Sequence, residues 1–131
     1  MHDIKSFISQ KDIFARHCSI ELLEVLPGTA RVSMTVEQEH LNGLEMAHGG
    51  ALFTLADLAF AAAANSREET AVGVNASINY IRPAVKGDVL TASAREIYSN
   101  RKLAGYQIEI HNQDNELVAV LQSTAYKLTK S

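Results

Sequence analysis

One acid, Asp57, stands in the apolar run GGALFTLADLAFAAAA from Gly49 to Ala64, where Thr54 is the other polar side chain. The composition reads as a helix that is apolar nearly all round, with no polar face on which to set a charge. An ionised carboxylate in such surroundings costs several kcal/mol unless something compensates it. A neighbouring Asn or Arg would satisfy it with no further purpose. Function is the alternative, because active sites are where proteins keep expensive acids. A carboxylate so placed can take a proton from water or attack an electrophilic carbon. The same helix opens on His48-Gly49-Gly50. The first N–H groups of a helix have no intrahelical partner and lie at the positive end of its dipole. Glycine lets a ligand come close to the backbone. The pair therefore suits a developing oxyanion, although a plain loop-to-helix turn also uses glycine. Upstream, Asn42 beside Gly43 fits an Asx-type turn.

The elements that must position these residues follow from periodicity. Ile4, Phe7 and Ile8, then Ile13 and Phe14, have helical spacing and predict one or two short amphipathic helices. SIELLEVL and RVSMTV flank Pro27-Gly28, and Val32, Met34 and Val36 alternate with polar neighbours. That is two strands and a turn. The helix from about Gly49 to Asn65 follows, favoured by alanine and leucine and ended at Asn65-Ser66. Four more strands are expected. In the first, Val72, Val74, Ala76, Ile78 and Tyr80 alternate with Gly73, Asn75, Ser77 and Asn79. Breaks fall at Pro83, at Val85-Lys86-Gly87-Asp88, at Ser99-Asn100 and at Asp114-Asn115. Short turns between consecutive strands imply an antiparallel sheet. Such a sheet curled around the helix, and completed by a second subunit, would cover it.

The 131 residues allow a single domain over 1–131, and a net charge of −3 argues against nucleic acid as a main partner. The apolar run is short for a membrane span and carries an acid at its centre. The first residues, MHDIKSFISQKD, lack the apolar stretch of a secretion signal. Cys18, the lone cysteine, leaves no internal disulfide and reads as a small packing residue. A cytoplasmic location is the expectation. His2, His17, His40 and His111 show no metal-ligand spacing, so no metal site is expected.

The pattern resembles the hotdog fold, an α+β arrangement in which an antiparallel sheet wraps one long central helix. Its motifs are similar to those of the phenylacetate-pathway (PaaI-like) acyl-CoA thioesterases, relatives of the 4-hydroxybenzoyl-CoA thioesterases. The residues that carry the likeness begin with Asn42-Gly43, His48-Gly49-Gly50, Phe53, Leu55-Ala56-Asp57, Ala59-Phe60-Ala61 and Asn65-Ser66. Asn79-Tyr80, Arg82-Pro83, Gly87-Asp88 and Leu90-Thr91-Ala92 continue it, so that it spans roughly residues 15 to 128. The resemblance implies hydrolysis of an acyl- or aryl-acyl-CoA to free acid and CoA. Asp57 would be general base or nucleophile, the Gly49 N–H would polarise the thioester carbonyl, and Asn42 and His48 would orient substrate or water. Some members carry a Ser or Thr helper on the strand after the helix. Here that strand offers Gly73 or Asn75, with Ser77 further along. A hotdog hydratase or dehydratase is disfavoured, since no histidine follows Asp57 in LAFAAAAN. A non-catalytic acyl-CoA-binding module is the remaining alternative.

Geometry adds a constraint. Gly49 and Asp57 are eight residues apart, about 12 Å along a helix axis. One chain cannot bring both to one thioester. Two helices lying antiparallel across a two-fold axis can, with Ala56, Ala61 and Ala64 permitting close packing. The expected assembly is a homodimer at minimum and a homotetramer as a dimer of dimers. Gly50, Asn75, Tyr80, Arg82, Pro83, Lys86, Arg101 and Lys102 are the candidates for binding substrate and coenzyme A. The four basic residues suit CoA phosphates or, equally, solvated surface. Coenzyme A enters as part of the substrate, and no separate cofactor is expected. Phe53 and Phe60 belong to the core, or one of them lines the acyl pocket.

Overall fold

The computed structural model describes residues 4–67 and 69–128. Two short helices come first, α1 (Ile4–Lys11) and α2 (Ile13–His17). A hairpin follows, β1 (Glu21–Leu26) and β2 (Thr29–Thr35), then the long helix α3 (Gly49–Ala64). The remaining strands are β3 (Ala71–Tyr80), β4 (Val89–Ser99), β5 (Leu103–His111) and β6 (Leu117–Lys127). They form one antiparallel sheet in the order β1-β2-β4-β5-β6-β3. This is the hotdog arrangement that the sequence pattern implies.

The order is not a simple meander. β3 leaves α3, crosses to the far edge and, among the described residues, pairs only with β6, while β4 returns to pair with β2. Register then stacks apolar residues in rows across the face turned to α3. One row runs Val32, Ala92, Ile110, Ala119; the next runs Ala30, Ala94, Ile108, Leu121. All are buried, as are Leu52, Leu55, Ala56, Leu58, Ala59, Phe60, Ala62 and Ala63 of the helix. Each large side chain so buried contributes about 1.5–3 kcal/mol. Small alanines in the rows let the helix settle into the sheet's curve. At its C-terminal end Asn65 fastens α3 to β3, donating from Nδ2 to Ala61 O and Ala71 O and accepting the Ala71 N–H on Oδ1.

Three sequence expectations are corrected. First, the simple alternation in β3 fails, because a bulge lies between Gly73 and Asn75. Ala76, Ile78 and Tyr80 keep the face shared with Ser123, Leu121 and Ala119, but beyond the bulge Gly73 takes that face and Val72 turns outward beside Tyr126. Phe60 explains the glycine: a Cβ at Gly73 would lie 2.9 Å from Phe60 Cε2. Phe60 is itself buried and packed edge-on against Tyr106, with ring centroids 5.6 Å apart, so it cannot step aside. Gly73→Ala is expected to destabilise the protein by about 1–3 kcal/mol. A denaturant midpoint unchanged from wild type would refute that account.

Second, α1 and α2 are helices, but their apolar residues divide. Ile4, Ile8 and Ala15 are buried, whereas Phe7, Ile13 and Phe14 are exposed. Third, Asp57 is not enclosed. The sheet covers most of α3, but leaves open a stripe formed by Gly50, Phe53, Thr54, Asp57, Ala61 and Ala64. Their spacing of three and four residues puts them on one helix face. Of the alanines expected at a helix–helix contact, Ala61 and Ala64 lie on this stripe, and Ala56 is buried against the sheet.

Candidate active site

The loop between β2 and α3 builds the helix tip. Asn42 organises it: Oδ1 accepts the Leu44 N–H at 2.8 Å and the Met46 N–H at 3.1 Å, and the Asn42 N–H donates to Met46 O at 2.7 Å. The Asx reading of Asn42 is therefore realised, and no hydrogen bond involves its Nδ2 among the described residues. Glu45 takes a positive φ of 61° in the same turn. Ala47 N–H then donates to Ala84 O at 2.8 Å, tying the tip to the segment after β3.

His48 is the N-cap of α3. Its extended backbone (φ −63°, ψ 139°) sets the ring over the first turn, and Nδ1 accepts the Gly50 N–H at 2.8 Å. Because a backbone N–H can only donate, the ring carries its proton on Nε2 and can offer it outward. His48 also selects glycine next door, since a Cβ on Gly50 would stand 3.1 Å from Nδ1. The cap uses the Gly50 N–H and leaves the Gly49 N–H without an acceptor among the described residues. Of the two glycines, Gly49 thus holds the available donor, at the positive end of the helix dipole.

Tyr80, at the end of β3, lies against Gly49. Its hydroxyl donates to Gly49 O at 3.2 Å, and a Cβ on Gly49 would come within 3.2 Å of the Tyr80 Cζ and hydroxyl oxygen. Tyr80, Arg82, Pro83, Met46, Leu52 and Ile81 line a largely apolar cleft of about 330 Å³ that reaches Gly49. Arg82 stands at its rim, 3.8 Å from Glu116 Oε2, and Lys86 is in the exposed turn just beyond. On the other side of the tip a second cleft of about 520 Å³ is lined by Phe14, Cys18, His40, His48, Phe53 and Thr54, among others. Phe53 is the aromatic that lines a cleft, while Phe60 is core. Cys18 is half-buried at the end of α2, where burial first and the charge of Asp12 second push its thiol pKa up.

Asp57 sits two turns further along α3, on the open stripe, with no hydrogen bond to its carboxyl among the described residues. Partial desolvation raises its pKa above the ordinary 3.8, and the charge of Asp12 adds to the effect. The side chain is thus open enough to meet a ligand and packed closely enough to hold its proton more tightly than a free carboxyl.

The structure therefore gathers Asn42, His48, Gly49, Gly50, Tyr80, Arg82, Pro83 and Lys86 at one end of the chain's fold. It does not bring the other predicted binders to them. Asn75 pairs with Thr124 on the face away from α3 and lines a separate outer depression with Tyr98 and Gly105. Gly73 faces Phe60, so neither candidate helper reaches Asp57 within the chain. Arg101 and Lys102 occupy the β4–β5 turn beside Lys127, at the opposite end of the sheet. Sequence reasoning missed Phe14, Met46 and His40 as parts of the tip's surroundings, because their neighbours come from segments far apart in the chain. The one local sign for His40 was Glu37 three residues before it, the spacing of a capping box.

Comparison with known proteins agrees with this architecture. The Thioesterase superfamily model matches residues 44–119, which include the helix tip and Asp57. The Escherichia coli acyl-coenzyme A thioesterase PaaI is 38% identical over 119 residues, covering 91% of this chain and 85% of that protein. Its solved structure superposes with a TM-score of 0.92, over 96% of this chain and 91% of that one, at 36% identity. Human acyl-coenzyme A thioesterase 13 is 31% identical over 96 residues, or 72% of this chain and 69% of that protein. A Streptococcus mutans protein solved bound to acetyl CoA gives a TM-score of 0.81 at 28% identity, over 85% and 90% of the two chains. An unused amide at a helix tip and an unpartnered acid on the same helix thus occur in a chain that belongs to the thioesterase superfamily, as a PaaI-like thioester hydrolase of the hotdog fold.

Proposed function

We propose that the substrate is an acyl- or aryl-acyl-CoA and that two protomers share each reaction centre. The observation that carries this is the placement of Gly49 and Asp57. Both present unpartnered groups, yet the helix holds them about 12 Å apart. An antiparallel partner helix laid along the open stripe would bring the Gly49 N–H of one protomer to Asp57 of the other. The edge strand β3, unpaired on its outer side and exposing Val72 and Val74, offers a second surface for the same two-fold contact.

In this arrangement Asp57 takes a proton from water as the oxygen attacks the thioester carbon. The Gly49 N–H stabilises the negative charge on the former carbonyl oxygen. Collapse breaks the C–S bond, the sulfur takes up a proton, and free acid and CoA leave. In the other route the carboxylate attacks first and water hydrolyses the mixed anhydride. Label found in Asp57 after a single turnover in heavy-oxygen water would identify the second route, through attack of water on the aspartyl carbonyl of the anhydride. His48 Nε2–H and Asn42 Nδ2 orient the thioester or the water. Every step uses side chains, a backbone amide and water, with coenzyme A entering as part of the substrate.

The cleft beside Tyr80 and Pro83 suits the pantetheine arm, with Arg82 and Lys86 at its mouth for phosphate. Arg101 and Lys102 lie beyond the C-terminal end of α3. In an antiparallel pair that end approaches the partner's helix tip, so these residues would extend the phosphate site from the second subunit. The outer face of the sheet, with Ser77, Gln122, Gln107 and Arg95 side by side in one row, is the surface proposed for pairing of dimers into a tetramer. Light scattering of the purified protein measures that state. Among the described residues no helix is long and apolar enough to cross a membrane. The cytoplasmic part of the proposal is supported by the lone cysteine, Cys18, which leaves no internal disulfide.

A thiol-release screen across short, medium-chain, benzoyl and arylacetyl CoA esters tests the activity. Turnover of at least one ester supports it. Binding without turnover returns the chain to a binding module, and a hydroxylated product to a hydratase. The raised pKa of Asp57 sets the pH dependence. The base works when ionised, so kcat/KM should fall as pH drops through a value above 3.8, the unperturbed figure. An acid limb at or below that value would contradict the desolvated setting of Asp57.

A further inference from the structure

We infer that His40 is a positioning residue for the oxyanion donor: its ring pins the loop that presents Gly49 to the end of α2. This rests on the reading of Gly49 given above. His40 is 4% exposed, one of two polar residues counted as buried among those described, and no step of hydrolysis uses it. It closes the 3-10 turn Gln38–His40 that opens the loop to α3.

Both ring nitrogens are committed to the main chain. Nδ1 accepts the Glu37 N–H at 2.9 Å. The proton is therefore on Nε2, which donates to Cys18 O at 2.8 Å. Cys18 is the C-cap of α2, so the ring satisfies a helix-terminal carbonyl that would otherwise lack a partner. The main chain of the same residue continues the connection. His40 O accepts the His48 N–H at 2.7 Å, and His48 Nδ1 holds the Gly50 N–H at 2.8 Å. A continuous path runs from α2 through the imidazole to the first turn of α3. Two further bonds brace it, the Leu41–Ala47 bridge and Ala47 N–H to Ala84 O. The path fixes where the Gly49 N–H points relative to the rest of the protomer, and displacements of about 1 Å at such a donor cost on the order of 100-fold in rate.

Three substitutions separate the two arms of the ring. Gln places an amide nitrogen near Nε2 and keeps the donor to Cys18 O. Asn places an oxygen near Nδ1 and keeps the acceptor for Glu37 N–H. Leu keeps volume and neither bond. Expected for His40→Leu is a fall in kcat of about 10–100-fold with KM within about threefold. His40→Gln should recover most of kcat, and His40→Asn should stay with the Leu variant. Amide hydrogen exchange at Gly50, followed by NMR without substrate, should be faster in the Leu and Asn variants and near wild type in the Gln variant.

A Leu variant with wild-type kcat overturns the inference, as does one that loses melting temperature alone. Equal activity of the Gln and Asn variants removes the role of the Cys18 bond. Failure of all three to fold assigns His40 to stability and overturns it too. If wild type itself releases no thiol from any ester, the functional reading falls, and the exchange measurement still decides whether His40 holds the tip.

Discussion

Replacing Asp57 by asparagine is expected to lower kcat by about 10²–10⁴-fold, with KM changed far less, the range that loss of a general base produces. The amide matches the carboxyl in shape, so the substrate should still bind. It cannot take a proton from water, nor form an anhydride. Stability should move the other way, or not at all. The folded-state pKa of Asp57 is raised above 3.8, so the folded protein binds that proton more tightly than the unfolded chain does. Ionisation therefore opposes folding: the stabilising linkage is present at low pH and is lost as pH rises through the folded pKa. At neutral pH the uncharged asparagine avoids that cost. Equal or higher melting temperature with activity nearly gone would mark Asp57 as a residue kept for chemistry. Turnover within threefold of wild type would remove it from the centre.

Mixing two inactive variants gives the other large effect. Asp57→Ala retains the donor amide, and Gly49→Pro, which has no N–H, retains the acid. Each homodimer has two defective centres. Each mixed dimer has one defective centre and one intact. Random exchange makes about half of the dimers mixed, so roughly a quarter of all centres, and of wild-type activity, should return. Each parent alone should remain near background. Proven subunit exchange with no recovery would mean that the two residues do not work across a shared centre.

The sequence carried the layout because local pattern and tertiary need agree over most of the chain. Alternation in Val32 and Met34 produced a strand with those residues buried and Val36 buried just past its end, and the Gly49–Ala64 run produced the helix at the expected boundaries. Turn chemistry at Gly87 and Asn115, both with positive φ, marked the strand breaks. The hydrophobic pattern could not reveal the bulge at Gly73, whose cause is a Phe60 ring arriving from another element. For the same reason Asp57 read as enclosed. An all-apolar helix looks covered from its composition, and the uncovered stripe emerges only when the sheet is seen to wrap part of the circumference. His48 and Gly49 were legible as a pair, but their division of labour was not. That depends on a ring nitrogen 2.8 Å from the Gly50 amide, which leaves the neighbouring amide free. Asn75, Arg101 and Lys102 were placed with the site by their residue type, and strand direction carries them elsewhere.

The pairing of β3 with β6 alone has a consequence for how the polypeptide matures. Residue 80 ends one strand and residue 117 begins its mate, so roughly 40 residues separate them. At ribosomal rates of ~5–20 residues per second, the earlier ribbon waits about 2–8 s for hydrogen-bonding company. Through that interval it displays Val72, Val74 and Ile78 with both flanks unsatisfied, a template for neighbours on the same polysome. Heavy expression should therefore favour inclusion bodies seeded by this ribbon. A lysine introduced at Val72, whose side chain points away from the helix, should raise soluble yield without altering the core, and should weaken the two-fold contact proposed for this strand.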